Sequence, residues 1–198
     1  MIKVAITGVQ GSGKTTIVKQ IVAELSNYGK AIMFEEPARK CNSPINTETT
    51  IKSQEFIWNE HVLSELRSIQ KNPDYLICDR TLMDNLVYYK RMLITKGIQS
   101  ESFDSKYLLT VPYMKTYDII IRLPLNKERI LNADDNIRDK DIKFAVEIDR
   151  LFDDMVQPYV TTNVTDFSSI MREIFLAKSI LEMISEDNVS GEIKCNQI

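Results

Sequence analysis

A glycine-rich turn closes the first apolar run of this chain and opens its first helical one. Gly8-Val9-Gln10-Gly11-Ser12-Gly13-Lys14-Thr15 fits the pattern G-x-x-x-x-G-K-[ST] at every fixed position. Before it stands Ile2-Lys3-Val4-Ala5-Ile6-Thr7, a β-branched run that predicts a buried parallel strand. After it Ile17, Ile21 and Leu25 recur at helical spacing, with Val18 and Val22 beside them. Glycines let the backbone curl until several N–H groups converge on phosphate oxygens, and the following helix adds its positive end. Lys14 can bridge β- and γ-phosphates from a surface crevice, and the Thr15 hydroxyl can ligate Mg²⁺. Gly8, Gly11, Ser12, Gly13, Lys14, Thr15 and Thr16 are thus the candidate nucleotide-binding residues. The implied cofactors are ATP, or another nucleoside triphosphate, and Mg²⁺.

Beyond the turn, short apolar runs alternate with helical periods. Residues 31–34 and 75–78 predict the second and third strands, 119–121 the fourth, and 158–164 a short last one. Helices are expected over 50–71, 82–96, 102–115, 141–156 and 167–184, with Gly97 closing the second of these. On the first of them Ile51, Trp58, Val62, Leu66 and Ile69 form the apolar stripe. This is an α/β pattern: three layers, a parallel sheet of about five strands with helices on both faces. At roughly 150 residues per domain, 198 residues make one domain, placed at 1–184 with a frayed tail over 185–198.

Composition narrows the classes. A formal net charge of −3 argues against a broad basic face for duplex nucleic acid. Cys41, Cys78 and Cys195 are scattered, and His61 is the only histidine, so neither a disulfide framework nor a Cys/His metal site is expected. No apolar run approaches the ~18 residues that span a bilayer. The first residues already form a strand, leaving no room for a signal peptide, and the tail lacks a prenylation box. The expected setting is the reducing cytoplasm, without membrane attachment.

Three further segments carry chemistry. Asp79 ends the third strand, where a carboxylate can hold Mg²⁺ or cap the next helix, and Arg80 follows it into the crevice of a parallel sheet. Glu35 and Glu36 end the second strand before Pro37. A carboxylate there can take a hydroxyl proton, and Arg39 can pair with an anion or restrain that carboxylate. Residues 128–141 are dense in both charges, as in a lid that brings an arginine to a transferring phosphoryl group or in a solvated helix and turn. Asn126-Lys127-Glu128-Arg129 is not a guanine-reading motif, because Arg129 replaces the aspartate that reads the base. Trp58 is expected in the core and His61 as a surface or satisfied helix residue. Gln54 lies one turn before Trp58 and can face a base, and Tyr88-Tyr89 reads as packing plus one surface hydroxyl.

Together these segments resemble the nucleoside and nucleotide kinase branch of the P-loop NTPase fold, nearest the AAA-like family with the ribosylnicotinamide kinase domain of bacterial NadR proteins. The resemblance covers residues 1 to about 184. Residues 8–16 resemble its phosphate loop, Glu35-Glu36-Pro37-Ala38-Arg39 its E-P-A-R motif, and Cys78-Asp79-Arg80-Thr81 with Asp84 its D-R motif. Asp134-Asp135-Asn136-Ile137-Arg138 resembles its lid motif, with Asn136 where glycine is common. Deoxynucleoside kinases share more loosely the E-P pair and the acidic-Arg pair. The resemblance implies Glu36 as general base, Asp79 as a Mg²⁺-linked acid and Arg138 as lid arginine. The expectation is an ATP- and Mg²⁺-dependent kinase of a nucleoside-like small molecule. Lys14, Glu36, Asp79, Arg80 and Arg138 would be catalytic, Thr15 and Asp79 would hold metal, and Glu36, Arg39, Gln54 and Arg80 would contact the acceptor. A nucleoside-monophosphate kinase, a polynucleotide 5′-hydroxyl kinase and a regulatory nucleotide-dependent switch stay open, as does a homodimer.

Overall fold

In the computed structural model, which describes residues 1–131, 141–162 and 164–195, strand alternation sorts the core into two halves. Along β1 (Ile2–Thr7), Ile2, Val4 and Ile6 enter one hydrophobic cluster and Ala5 the other. β2 (Ala31–Phe34), β3 (Tyr75–Asp79) and β4 (Ile119–Arg122) complete a four-stranded parallel sheet in the order β2-β3-β1-β4. Parallel neighbours need crossover connections, and the helices supply them. On one face α1 (Lys14–Leu25) and α7 (Phe167–Cys195) bring Val18, Ile21, Ile170 and Ile174 against Val4, Ile6, Ile77 and Ile121. On the other, α3 (Leu82–Lys96) and α6 (Ile142–Met155) bring Leu86, Val87, Phe144 and Phe152 against Ala5, Leu76, Cys78 and Ile120. α2 (Ile51–Ile69) and α4 (Glu101–Tyr113) flank α3, and α5 (Lys127–Leu131) follows β4. No helix among the described residues is long and apolar enough to cross a membrane.

The expected fifth strand is reduced to a single bridge, Ile121 to Thr162. A one-turn helix at Gln157–Tyr159 occupies the start of that segment, consistent with Pro158. At its end the Thr161 hydroxyl, not a ladder carbonyl, accepts from Ile120 N at 2.9 Å. α7 continues to Cys195, past the end expected at residue 184.

The larger departure is α2. It starts where expected, with Thr50 and Ser53 capping each other's backbone N–H groups. Its buried face, however, is Ser53, Gln54, Ile57, His61, Glu65 and Ser68. Leu66 of the expected stripe is 46% exposed, and His61 is fully buried. Trp58 packs at the edge of the core and donates its indole N–H to Thr110 Oγ1 at 3.0 Å. The polar face is tolerated because Lys3, on the facing side of β1, meets Glu65 in a buried ion pair. Tyr113 and Tyr117 donate to the same carboxylate at 2.6 and 3.0 Å, and Lys3 Nζ sits 3.9 Å over the Tyr117 ring. A buried charge persists only when paired and hydrogen-bonded, and both conditions are met.

Burial by itself would raise the Glu65 carboxyl, but the His61 hydrogen bond and the Lys3 charge outweigh it and hold the pKa at about 2. The folded value lies below the unfolded carboxylate's ~4.3, so this stabilisation is complete above that pH and lost as pH falls toward 2. Urea titrations at stepped pH should show wild-type stability dropping by on the order of 2–3 kcal/mol across that window from this group. The Lys3→Met, Glu65→Gln double variant, which removes both charges, should give a flatter profile there.

Candidate active site

The parallel register sets the site. Ile6 pairs with Asp79 and Thr7 with Arg122, so the loop after β1 emerges between the ends of β3 and β4. Gly8 takes φ 134°, and a Cβ there would stand 2.6 Å from Leu123 O, so only glycine fits. Gly13, at φ 94°, starts α1 with no side-chain cap and no acidic residue in its first turn, which leaves the helix's leading N–H groups for an anion. Lys14 is 1% exposed rather than on an open crevice; Nζ donates to Val9 O at 2.6 Å and to Ser12 Oγ at 3.2 Å.

Thr15 donates its hydroxyl to Asp79 Oδ2 at 2.6 Å. Asp79 Oδ1 is buried with no hydrogen-bond partner among the described residues. A hydroxyl and a carboxylate oxygen side by side, one of them unsatisfied, fit a hard divalent cation that draws its other ligands from phosphate and water.

Arg80 follows at φ 96°, an uncommon backbone conformation for a side-chain-bearing residue. Its Nε meets Glu36 Oε1 in a buried ion pair, and Nη1 donates to Gly8 O at 3.3 Å and to the Tyr88 hydroxyl at 3.4 Å. Asp84 Oδ2 lies 3.5 Å from Nη1. Burial works against the guanidinium charge, but Glu36, then Tyr88 and Asp84, outweigh it and hold Arg80 charged. Asp84 is itself fixed, accepting from the Thr7 hydroxyl at 2.7 Å and from Thr81 N at 3.1 Å. Pro37 opens a one-turn helix, Pro37–Lys40, which carries Arg39 back to 4.0 Å from Glu36 Oε2.

Glu36, Arg39, Arg80 and Tyr88 line one pocket, which is partly open to solvent. Glu36, Arg39, Gln54 and Arg80, singled out in the sequence for acceptor contacts, all line it. So do Gln10, Asn85 and Tyr88, which were not. Tyr88 packs against Phe144 and Phe152 as expected, but its hydroxyl is not a surface group: it donates to Gln10 Oε1 at 2.9 Å, and both residues line the pocket. Asp84 and Asn85 stand four and three residues before Tyr88 on α3, so the three share one face of the helix beside Arg80. A second cleft touches the loop through Ser12, Gly13 and Thr16 and is closed by Gln20, Pro124, Asn126 and Thr165. It shares no residue with the first. Arg138, and the charged segment around it from 132 to 140, lie outside the described residues.

Among solved structures, deoxyadenosine kinase from M. mycoides with bound dATP superposes with a TM-score of 0.62 at 20% identity, over 92% of this chain and 100% of that one. Deoxyadenosine kinase from M. mycoides with the products dCMP and a flexible dCDP gives 0.58 at 19% identity, over 92% and 100%. At these identities the likeness is one of fold. Comparison with curated proteins gives no match. The model of the family described as an AAA domain matches residues 3–167, from β1 to the first residue of α7, and the chain belongs to that family.

Proposed function

We propose that the protein is an ATP- and Mg²⁺-dependent phosphotransferase that phosphorylates a hydroxyl of a nucleoside- or riboside-like acceptor. The observation that carries this reading is the pair of separate clefts meeting at one phosphate loop, one of them walled by the Glu36–Arg80 ion pair. A nucleotide switch has no need of the second, partly enclosed pocket. The deoxyadenosine kinase fold and the NadR-like motifs support a nucleoside or riboside in it.

The triphosphate lies along the loop, with its base side toward Thr16, Asn126 and Thr165. Loop N–H groups and the α1 end hold the phosphates, and Lys14 exchanges its contact with Val9 O for phosphate oxygens. Thr15 and Asp79 hold Mg²⁺, whose charge offsets that of the phosphates. In the acceptor pocket Glu36 takes the hydroxyl hydrogen bond and then its proton. The acceptor oxygen forms a bond to γ-phosphorus as the bond from that phosphorus to the β–γ bridging oxygen breaks, and ADP leaves with the electron pair. Arg80 fixes Glu36 throughout. Arg138 enters as the lid cation on its sequence resemblance alone. Arg39, at the rim of the pocket, favours a second reading in which the acceptor already bears a phosphate.

Lys14→Ala should abolish tight ATP binding in calorimetry while a cooperative melting transition persists; unchanged affinity and turnover would remove the loop from the function. Asp79→Asn should raise the Mg²⁺ concentration for half-maximal activity by an order of magnitude or more, read from a Mg²⁺ titration at saturating ATP. Glu36→Gln should slow transfer to a nucleoside or riboside by ~10² to 10⁴-fold with ATP affinity nearly intact. Wild-type rates in that variant, or turnover of monophosphates alone, would replace the hydroxyl-kinase reading with the monophosphate one.

A further inference from the structure

Behind the acceptor pocket lies a buried polar cluster that this chemistry does not use. Lys3, Glu65 and His61 are at most 2% exposed. The cluster reaches the pocket at Asn85, which lines it and is 5% exposed. Asn85 Nδ2 lies 3.0 Å from His61 Nδ1, and His61 Nε2 lies 3.2 Å from Glu65 Oε2.

The hydrogen positions follow from the far end. Glu65 is an ion-paired carboxylate that already accepts from two tyrosine hydroxyls, so what faces it from His61 must be N–H. In the neutral ring Nδ1 is then an acceptor, and Asn85 must turn its NH₂ toward it. The Asn85 carbonyl, without a hydrogen-bond partner among the described residues, is what remains for the pocket. Gln54, facing the same pocket from α2, repeats the arrangement. Its Nε2 donates to Thr49 Oγ1 at 2.8 Å, leaving Oε1 buried and unpartnered.

We propose that His61, held by Glu65, is a positioning residue that locks the Asn85 amide with its carbonyl toward the pocket. Asn85 and Gln54 then select acceptors whose ring presents N–H donors, an exocyclic amine or a carboxamide, over the same ring bearing an oxo group or a carboxylate. The proposal deepens the nucleoside-kinase reading and rests on it. An oxo group here sets acceptor against acceptor in a desolvated site. Turning Asn85 to suit it sets the amide carbonyl against the Nδ1 lone pair, and moving the ring proton sets the Nε2 lone pair against the Glu65 carboxylate. With the imidazole neutral, the chain of partners has one self-consistent orientation.

The test compares adenosine with inosine and cytidine with uridine, by calorimetric binding and by phosphoryl transfer from ATP. Wild type should favour the amine member of each pair by on the order of 10- to 100-fold in kcat/KM. His61→Leu removes the Nδ1 acceptor and should bring that ratio toward one. His61→Gln can donate to Glu65 and accept from Asn85, and should restore it. A merely structural role for His61 would lower both members alike and leave the ratio unmoved, so an unchanged ratio in folded His61→Leu overturns the proposal. Wild-type protein that phosphorylates these nucleosides with no preference, or prefers the oxo members, also overturns it while the kinase reading stands. Protein that binds and phosphorylates neither any of the four nor a carboxamide-bearing riboside overturns both.

Discussion

The Arg80 guanidinium is where the site is tied together. It bonds to Glu36 just after β2, to Gly8 O in the phosphate loop and to Tyr88 on α3, while its own backbone leads out of β3. Four elements far apart in sequence therefore share one cation. A guanidinium suits this place because its donors leave in fixed, divergent directions and it does not give up its charge on burial. Asp84 stands close by and gives the cation a second counter-charge. The positive φ at Arg80 is sustained by the same set of contacts: backbone strain persists only where the surroundings over-determine it.

The sheet explains why two ligands can meet here. All four strands run parallel, so their carboxyl ends fall on one edge, and the loop after β1 opens between β3 and β4. Ligands of open parallel sheets gather at such an edge. Each crossover helix then walls a different cleft. α1 leads away from the loop on one face and α3 on the other, so the two clefts reach the loop from opposite faces of the sheet and share no side chain.

What was legible in the sequence is what local rules fix. The loop, the four strands of the sheet, the Gly97 stop and the residues just after strand ends follow from spacing and from the residue types that end a run. Strand-end residues are also those that a parallel sheet delivers to its functional edge, which is why Glu36, Asp79 and Arg80 could be placed. The α2 face was not legible, because hydrophobic periodicity assumes that burial selects apolar residues. His61 and Glu65 are buried by partners on β1, α3, α4 and the loop before β4, at separations no window spans, and Gln54 is tied to Thr49 just before α2. Tyr88 and Asn85 escaped for a related reason: a helix pattern gives their spacing but not which face meets the pocket. The fifth strand was overread because a short stretch of strand-forming residues carries no mark of whether its neighbour's N–H groups will meet its backbone carbonyls or a threonine hydroxyl.

The same contrast bears on how the proposed reaction would be divided among side chains. A carboxylate locked to a guanidinium gives up basicity and gains orientation. For phosphoryl transfer that exchange is favourable, because a loose transition state places most of its demand on alignment and charge, and the hydroxyl proton leaves late. Glu36 held by Arg80 therefore fits a group that first aims the hydroxyl and only then receives its proton. The polar cluster behind Asn85 follows the same logic one layer deeper. It touches no reacting atom, yet it fixes which face of an amide the ligand meets, and it can do so because the His61 ring is held on both sides, by Glu65 and by the Asn85 amide nitrogen. Reaction and selection in this pocket would thus both rest on side chains whose freedom has been removed by charges buried behind them.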